Sequence, residues 1–255
     1  MKTASSLVLA ALATSVAAPA AFALEFGNGF SLTGDIQLEY MTDGDDDETL
    51  GFADLTLGWR SQGNGGLGFG VDLGITDFRV LDSNDHATVE WASLVLATSY
   101  GEFAIGRPRA VLDGMFTLPE IGGSKLIDLE LGYFSGSILK YVGLLGDYDT
   151  LGMTFKGSSG NLGYALGYHS FEDGIDADLL EAGLTYSQGQ TTFHLGFENL
   201  QGAGDDYSKI TLGARHDADQ WSAGAVLSNT SIGGDDIMLA VLFGDYNVTE
   251  ALSVG

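Results

Sequence analysis

The chain contains no cysteine, which excludes disulfides, thiolate zinc sites and cysteine-held iron–sulfur clusters. It is poor in cations. Ten Lys+Arg stand against 35 Asp+Glu, a formal net charge of −25 at pH 7. A surface of that sign repels phosphate, so no nucleic-acid partner is expected. Proline occurs three times, and no proline-rich or serine-rich linker divides the chain. Beyond residue 23 no run of eighteen apolar residues occurs, so no membrane-spanning helix is expected. There is no G-x-S-x-G element and no G-K-[ST] phosphate loop, which removes the usual signatures of serine hydrolases and nucleotide binders.

What is present is glycine (38 residues), 11% aromatics and a mean hydropathy of +0.14. That composition does not fit a disordered acidic tail. Residues 1–23 read as a secretory signal peptide: Lys2 is the charged start, Leu7 to Ala18 the apolar stretch, and Ala21-Phe22-Ala23 an A-x-A cleavage site. The mature chain is then a single domain over 24–255. Removing Lys2 leaves 9 basic residues against 35 acidic ones.

The mature chain alternates with period two. Phe30, Leu32, Ile36, Leu38 and Tyr40 fall on one face, and Ser31, Thr33, Asp35, Gln37 and Glu39 on the other. The same pattern runs through Ala53–Trp59, Leu67–Ile75, Leu151–Phe155, Leu162–Tyr168, Leu180–Tyr186, Phe193–Phe197, Ile210–Ala214, Trp221–Leu227 and Ile237–Phe243. Such alternation predicts strands with one apolar and one polar face. In a soluble sandwich the apolar face points inward; in a membrane barrel it points to lipid and the polar face lines water. The run Thr88–Thr98 breaks phase, with Val89 and Trp91 opposed to Leu94 and Leu96, and a bulge near Ser93 would reconcile them. About twelve strands result, with a thirteenth starting near Ala251.

The connections alternate as well. One set is short and nearly neutral (63–66, 99–101, 157–161, 187–190, 247–250). The other is longer or more acidic (42–49, 81–88, 171–178, 201–207, 231–236). The 216–220 turn is the charged exception to the short set. Short turns at one end and long loops at the other are the plan of an outer-membrane up-and-down barrel, and a soluble sandwich has no reason to show it. The longest connection, Ala110 to about Asp147, carries apolar pieces at Ile127–Phe134 and Ile138–Leu145. A solvated loop has no use for them, so this one is expected to pack against the barrel wall from inside.

Residues 106–123, G-R-P-R-A-V-L-D-G-M-F-T-L-P-E-I-G-G, resemble the start of the inward-folded third loop of Gram-negative outer-membrane porins, the purple-bacterial type in particular. Leu118-Pro119-Glu120-Ile121-Gly122-Gly123 matches the family's L-P-E-[FI]-G-G segment. The resemblance implies an all-β, antiparallel transmembrane barrel of sixteen strands and a homotrimer in outer-membrane lipid and lipopolysaccharide. Since Leu252-Ser253-Val254-Gly255 stops partway into a strand, the resemblance also implies that the last strands are missing. The function implied is passive diffusion of small hydrophilic solutes and ions. A solute-specific channel, a structural or adhesin barrel and an outer-membrane enzyme remain as alternatives.

The resemblance further implies a constriction built from Arg107 and Arg109 facing Glu120, with Asp113 a weaker match because Phe116 and Thr117 stand where the family's second loop acid lies. Alternation places Asp54, Arg60, Asp72 and Arg215 in the lumen phase. Arg107 and Arg109 have a plainer reading as strand-end arginines in ion pairs, and Glu120 as a solvated loop carboxylate. Asp43-Gly44-Asp45-Asp46-Asp47-Glu48 could bind calcium through carboxylate oxygens, but Glu48 occupies the glycine position of an EF-hand. A solvated acidic loop suits it better, and no cofactor is expected. His169 and His194, with Ser170 and Glu198 nearby, make a poor hydrolytic triad. Tyr40, Trp59, Tyr168 and Trp221 read as interfacial girdle residues.

Overall fold

The computed structural model describes residues 22–42, 47–61, 66–81, 86–113, 115, 136–146, 148–172, 175–202, 204, 206–249 and 252–254. Fourteen strands form one sheet in which each pairs with its neighbour in sequence. They are β1 (Phe22–Gly27), β2 (Phe30–Thr42), β3 (Asp47–Arg60), β4 (Gly68–Val80), β5 (His86–Thr98), β6 (Gly101–Arg107), β7 (Thr150–Ser159), β8 (Leu162–Phe171), β9 (Ala177–Gln188), β10 (Thr191–Gln201), β11 (Tyr207–Asp217), β12 (Trp221–Ile232), β13 (Asp235–Thr249) and β14 (Leu252–Val254). One helix, α1 (Ile138–Gly146), interrupts the order between β6 and β7.

Three details differ from the periodicity reading. β1 is an additional strand, paired from Phe22↔Gly34 onward. Its four-residue alternation, Ala23 to Phe26, is too short to stand out from the apolar leader before it. β5 has no bulge, because its register runs unbroken against β4 and β6. Val89, Trp91 and Val95 therefore face inward and are buried, while Leu94 is exposed outside. On β13, Ile237, Leu239, Val241 and Phe243 lie opposite Thr230, Ser228, Val226 and Gly224 of β12. They share the inward face, and Met238 and Leu242 take the outer one. β13 is apolar on both faces, so hydrophobic pattern alone does not fix its register. The expected leader lies mostly outside the described residues.

Elsewhere the phases fall as the alternation requires. Leu184 and Leu212 are 43% and 52% exposed on the outer surface, and Leu55 and Val71 share that face, half-buried among their neighbours. Thr211 of the opposite phase is buried and shares a hydrogen bond with Ser228. At the short-turn end, Phe30 packs on Trp59 and Phe103 on Phe155. Phe155 also meets Tyr164, and His216 meets Trp221. Aromatic rims of this kind mark a membrane–water interface. Leu184→Arg is expected to lower the unfolding free energy in lipid vesicles by about 2–4 kcal/mol, the range for an arginine near the bilayer midplane. Thr185→Arg, one residue on but facing inward, should cost far less. Equal losses would void the assignment of inside and outside, and a larger loss from Thr185→Arg would reverse it.

Phe52 and Asp54 of β3 and Lys209 of β11 all touch the segment between β6 and β7. Strands eight places apart in the sheet can reach one segment only if the sheet is rolled around it. Among the described residues no ladder joins β14 to β1.

Candidate functional site

The inward segment begins where β6 ends. β6 stops pairing with β7 at Gly106↔Gly152, and its last pair with β5 is Ala92↔Arg107. Gly106 has φ +126, and a Cβ there would lie 2.6 Å from the carbonyl oxygen of Ala92. Only glycine fits that turn, and it sends the chain off the wall. The upper part of β5 thereby loses its strand neighbour. Its inward Val89 and Trp91 pack instead in a cluster with Ala110, Ile138, Leu139, Phe171, Leu179 and Tyr207. This cover explains the apolar phase that the sequence made ambiguous.

Arg107 pairs with Asp149 at 2.7 Å. Arg109 reaches across to β3, where its Nη2 lies 2.6 Å from Asp54 Oδ1. Its Nε donates to Thr56 Oγ1 at 3.1 Å, and Nη2 donates to the Leu55 carbonyl at 3.1 Å. The guanidinium carbon lies 5.4 Å from the centroid of the Trp91 ring, within range of a cation–π attraction. Gly74 leaves room for it, since a Cβ there would stand 2.9 Å from Arg109 Nη2. Lys140 of α1 comes to 3.7 Å from Asp54 Oδ2 and 5.3 Å from the Phe52 ring. Asp54 thus holds two cations of the segment, one from each end.

Two buried glutamates of the facing wall hold the segment's backbone. Glu181 of β9 accepts from Val111 N at 3.1 Å and Leu112 N at 3.5 Å, and lies 3.0 Å from His169 Nε2. Glu198 of β10 accepts from Ser137 Oγ at 2.5 Å and Ile138 N at 2.8 Å. Its other oxygen accepts from Tyr207 OH at 2.9 Å and pairs with Lys209 Nζ at 3.0 Å. Lys209 also donates to the Gly136 carbonyl. Ser137 is the N-cap of α1, its Oγ accepting from Leu139 N at 3.1 Å. The Glu198 carboxylate sits at the same helix end, where a negative charge is favoured.

Asp113 closes the segment on itself, accepting from Ser137 N at 3.4 Å. Burial raises its carboxyl above the ordinary range, Lys140 opposes, and Glu181 adds to the rise. A carboxyl whose folded value is raised stabilises the fold below its unfolded value and loses that contribution as pH climbs through the raised one. Asp113→Asn keeps the acceptor and removes the desolvated charge. It is expected to raise the melting temperature near pH 7 and flatten its rise on mild acidification. A lower melting temperature at pH 7 would show that the charge itself is needed.

The residues singled out from the sequence are partly brought together. Arg109 and Asp113 are both on the inward segment, and Asp54 joins them. Arg107 lies at the segment's root with Asp149, and Glu120 lies outside the described residues, as do residues 43–46 of the acidic loop. Arg60 and Asp72 meet at 2.6 Å, with Glu102 3.3 Å from Arg60, toward the short-turn end. Arg215 pairs with Asp217 at 2.7 Å and donates to Ser222 Oγ at 3.2 Å. His169 meets Glu181 while Ser170 lies on the opposite face of β8, so no triad forms. Among the described residues no group of three or more His, Asp or Glu is placed to hold a metal. Glu181, Lys209, Lys140 and Trp91 were missed by sequence reasoning, and Glu198 was considered only beside His194. For Glu181, Glu198 and Lys209 the available signal was a charged residue in the inward phase beside small ones: Gly183 and Thr185, Gly196, and Thr211 and Gly213.

The comparisons fit this architecture. A family model described as a Gram-negative porin matches residues 5–255. A mutant of the Rh. blastica porin superposes with a TM-score of 0.59 at 15% identity, over 93% of this chain and 81% of that one. A second mutant of the same porin gives 0.55 at 13%, over 93% and 92%. No curated protein matches.

Proposed function

Because the chain belongs to the Gram-negative porin family, we propose that it forms a water-filled outer-membrane channel for passive diffusion of small hydrophilic solutes and ions, with cations favoured. It is not an enzyme; the work is sieving and electrostatics. The observation that carries this reading is the inward segment itself, tied to β3 through Asp54 and to β9 and β10 through Glu181 and Glu198. A segment fixed to two sides of a rolled sheet lies between its walls, and in this reading it narrows the bore. In this reading Arg107, Arg109, Asp113 and Glu120 shape the constriction, the protein is exported with a cleaved signal peptide, and it assembles as a homotrimer among lipid and lipopolysaccharide.

The sign of selectivity follows from charge. The acids outnumber the bases by 35 to 10, and a mouth of one sign concentrates the opposite ions. The lumen bases would oppose this, but Arg60, Arg109 and Arg215 each face a carboxylate within 3 Å, which cancels much of their field. In planar bilayers the protein should conduct, and in a KCl gradient its reversal potential should indicate K⁺ preference. Glu120→Gln should lower that preference and Arg107→Gln should raise it. No conductance would favour a structural or adhesin barrel, and anion preference would refute the charge argument.

A further inference from the structure

Beneath the root of the inward segment, on its short-turn side, lies a cavity of about 260 Å³ enclosed by the inner faces of β3 to β7 and roofed by Pro108. Four of the ten basic residues of this acidic chain line it. Three are already engaged: Arg60 with Asp72 and Glu102, Arg109 with Asp54, and Arg107 with Asp149. Lys156 is not. It is exposed, lies directly opposite Glu102 in the ladder, and forms no ion pair among the described residues. Ser93 and Thr154 also line the cavity, 8% and 5% exposed. Neither hydroxyl has a hydrogen-bond partner among the described residues. Both hydroxyls open onto the cavity, so beside an unspent ammonium they offer two further groups to the oxygen atoms of a bound solute. Val95 and Ala104 supply an apolar wall between them.

We propose that this cavity is a binding subsite for a small hydroxylated carboxylate, a monoanion of the size of a sugar acid. Lys156 holds the carboxylate, and Ser93 and Thr154 bond the hydroxyls. A dianion would meet one free cation and the carboxylates of Asp72 and Glu102, so a single charge fits best. The proposal rests on the channel reading and adds a solute class to it.

The test uses sodium gluconate as probe and D-glucose as the uncharged six-carbon control. Gluconate added on the short-turn side should interrupt the single-channel current at millimolar concentration, and glucose should not. Lys156→Met, at an exposed position, should weaken the interruption about tenfold, as expected for loss of one charge-assisted hydrogen bond. Ser93→Ala with Thr154→Val should weaken it for gluconate while leaving acetate unaffected. Calorimetry of gluconate binding in detergent gives the same affinities without a bilayer. If calorimetry shows binding and the bilayer carries no current, the channel reading fails and this one stands. Equal interruption by glucose, an affinity unchanged in Lys156→Met, or no heat with gluconate would overturn the proposal.

Discussion

Glu198→Leu is expected to produce the largest single loss of stability in this chain. The carboxylate is fully buried, and its partner Lys209 is 1% exposed. Removing one member of such a pair leaves a desolvated charge and costs about 3–5 kcal/mol. Ser137 Oγ, Ile138 N and Tyr207 OH lose their acceptor at the same time, and the start of α1 loses its tie to the wall. The melting temperature in detergent should fall, and single-channel records should become noisier with a larger unit conductance. The double variant Glu198→Leu with Lys209→Met separates the two effects. Replacing both members of a buried pair with apolar groups is often nearly neutral, so most of the stability should return. The noise should persist, because the inward segment still lacks its anchor. A single variant with native melting and quiet current would show that the segment is held elsewhere.

Asp54→Asn should have the largest effect on selectivity. One carboxylate stands between Arg109 at 2.6 Å and Lys140 at 3.7 Å. Without it two cations of the inward segment stand side by side at the β3 wall with no carboxylate between them. Cation preference should fall steeply and can reverse, and Arg109→Gln should move the reversal potential the other way. The effect should be strong at 0.1 M salt and weak at 1 M, where screening shortens from about 10 Å to about 3 Å. Equal shifts at both salts would point to altered pore size and not to charge.

Most of the wall was legible in the sequence because most strands obey a local rule. Leu184 faces lipid and Thr185 the lumen for reasons contained in a few neighbouring residues. The position of the inward segment was legible too, from Gly106-Arg107 and from the length that follows. What holds it was not. Val89 and Trp91 looked out of phase because the surface they bury against, Ile138 and Leu139, lies some fifty residues away. Ile138–Leu145 was read as an apolar piece; its helical form depends on Ser137 as cap and on Glu198, sixty residues further on. Glu181 was passed over, since beside His169 its partners are two backbone amides, which no side-chain pattern announces. β13 failed for a different reason, having apolar residues in both phases.

The strand order carries a consequence for how the molecule comes to be assembled. All thirteen ladders join strands adjacent in sequence, so the wall can grow hairpin by hairpin with small loop-closure penalties. The ties of the inward segment are of another kind. Val111 meets Glu181 seventy positions later, and Ser137 meets Glu198 sixty-one later. Neither glutamate is available until β9 and β10 have been added. The segment must therefore wait, held only at Asp54 of β3, while four further strands (β7 to β10) take their places. During that interval Val89 and Trp91 lack the cover of Phe171 and Leu179, and this stage of biogenesis is where a periplasmic chaperone or a protease would find the chain most accessible.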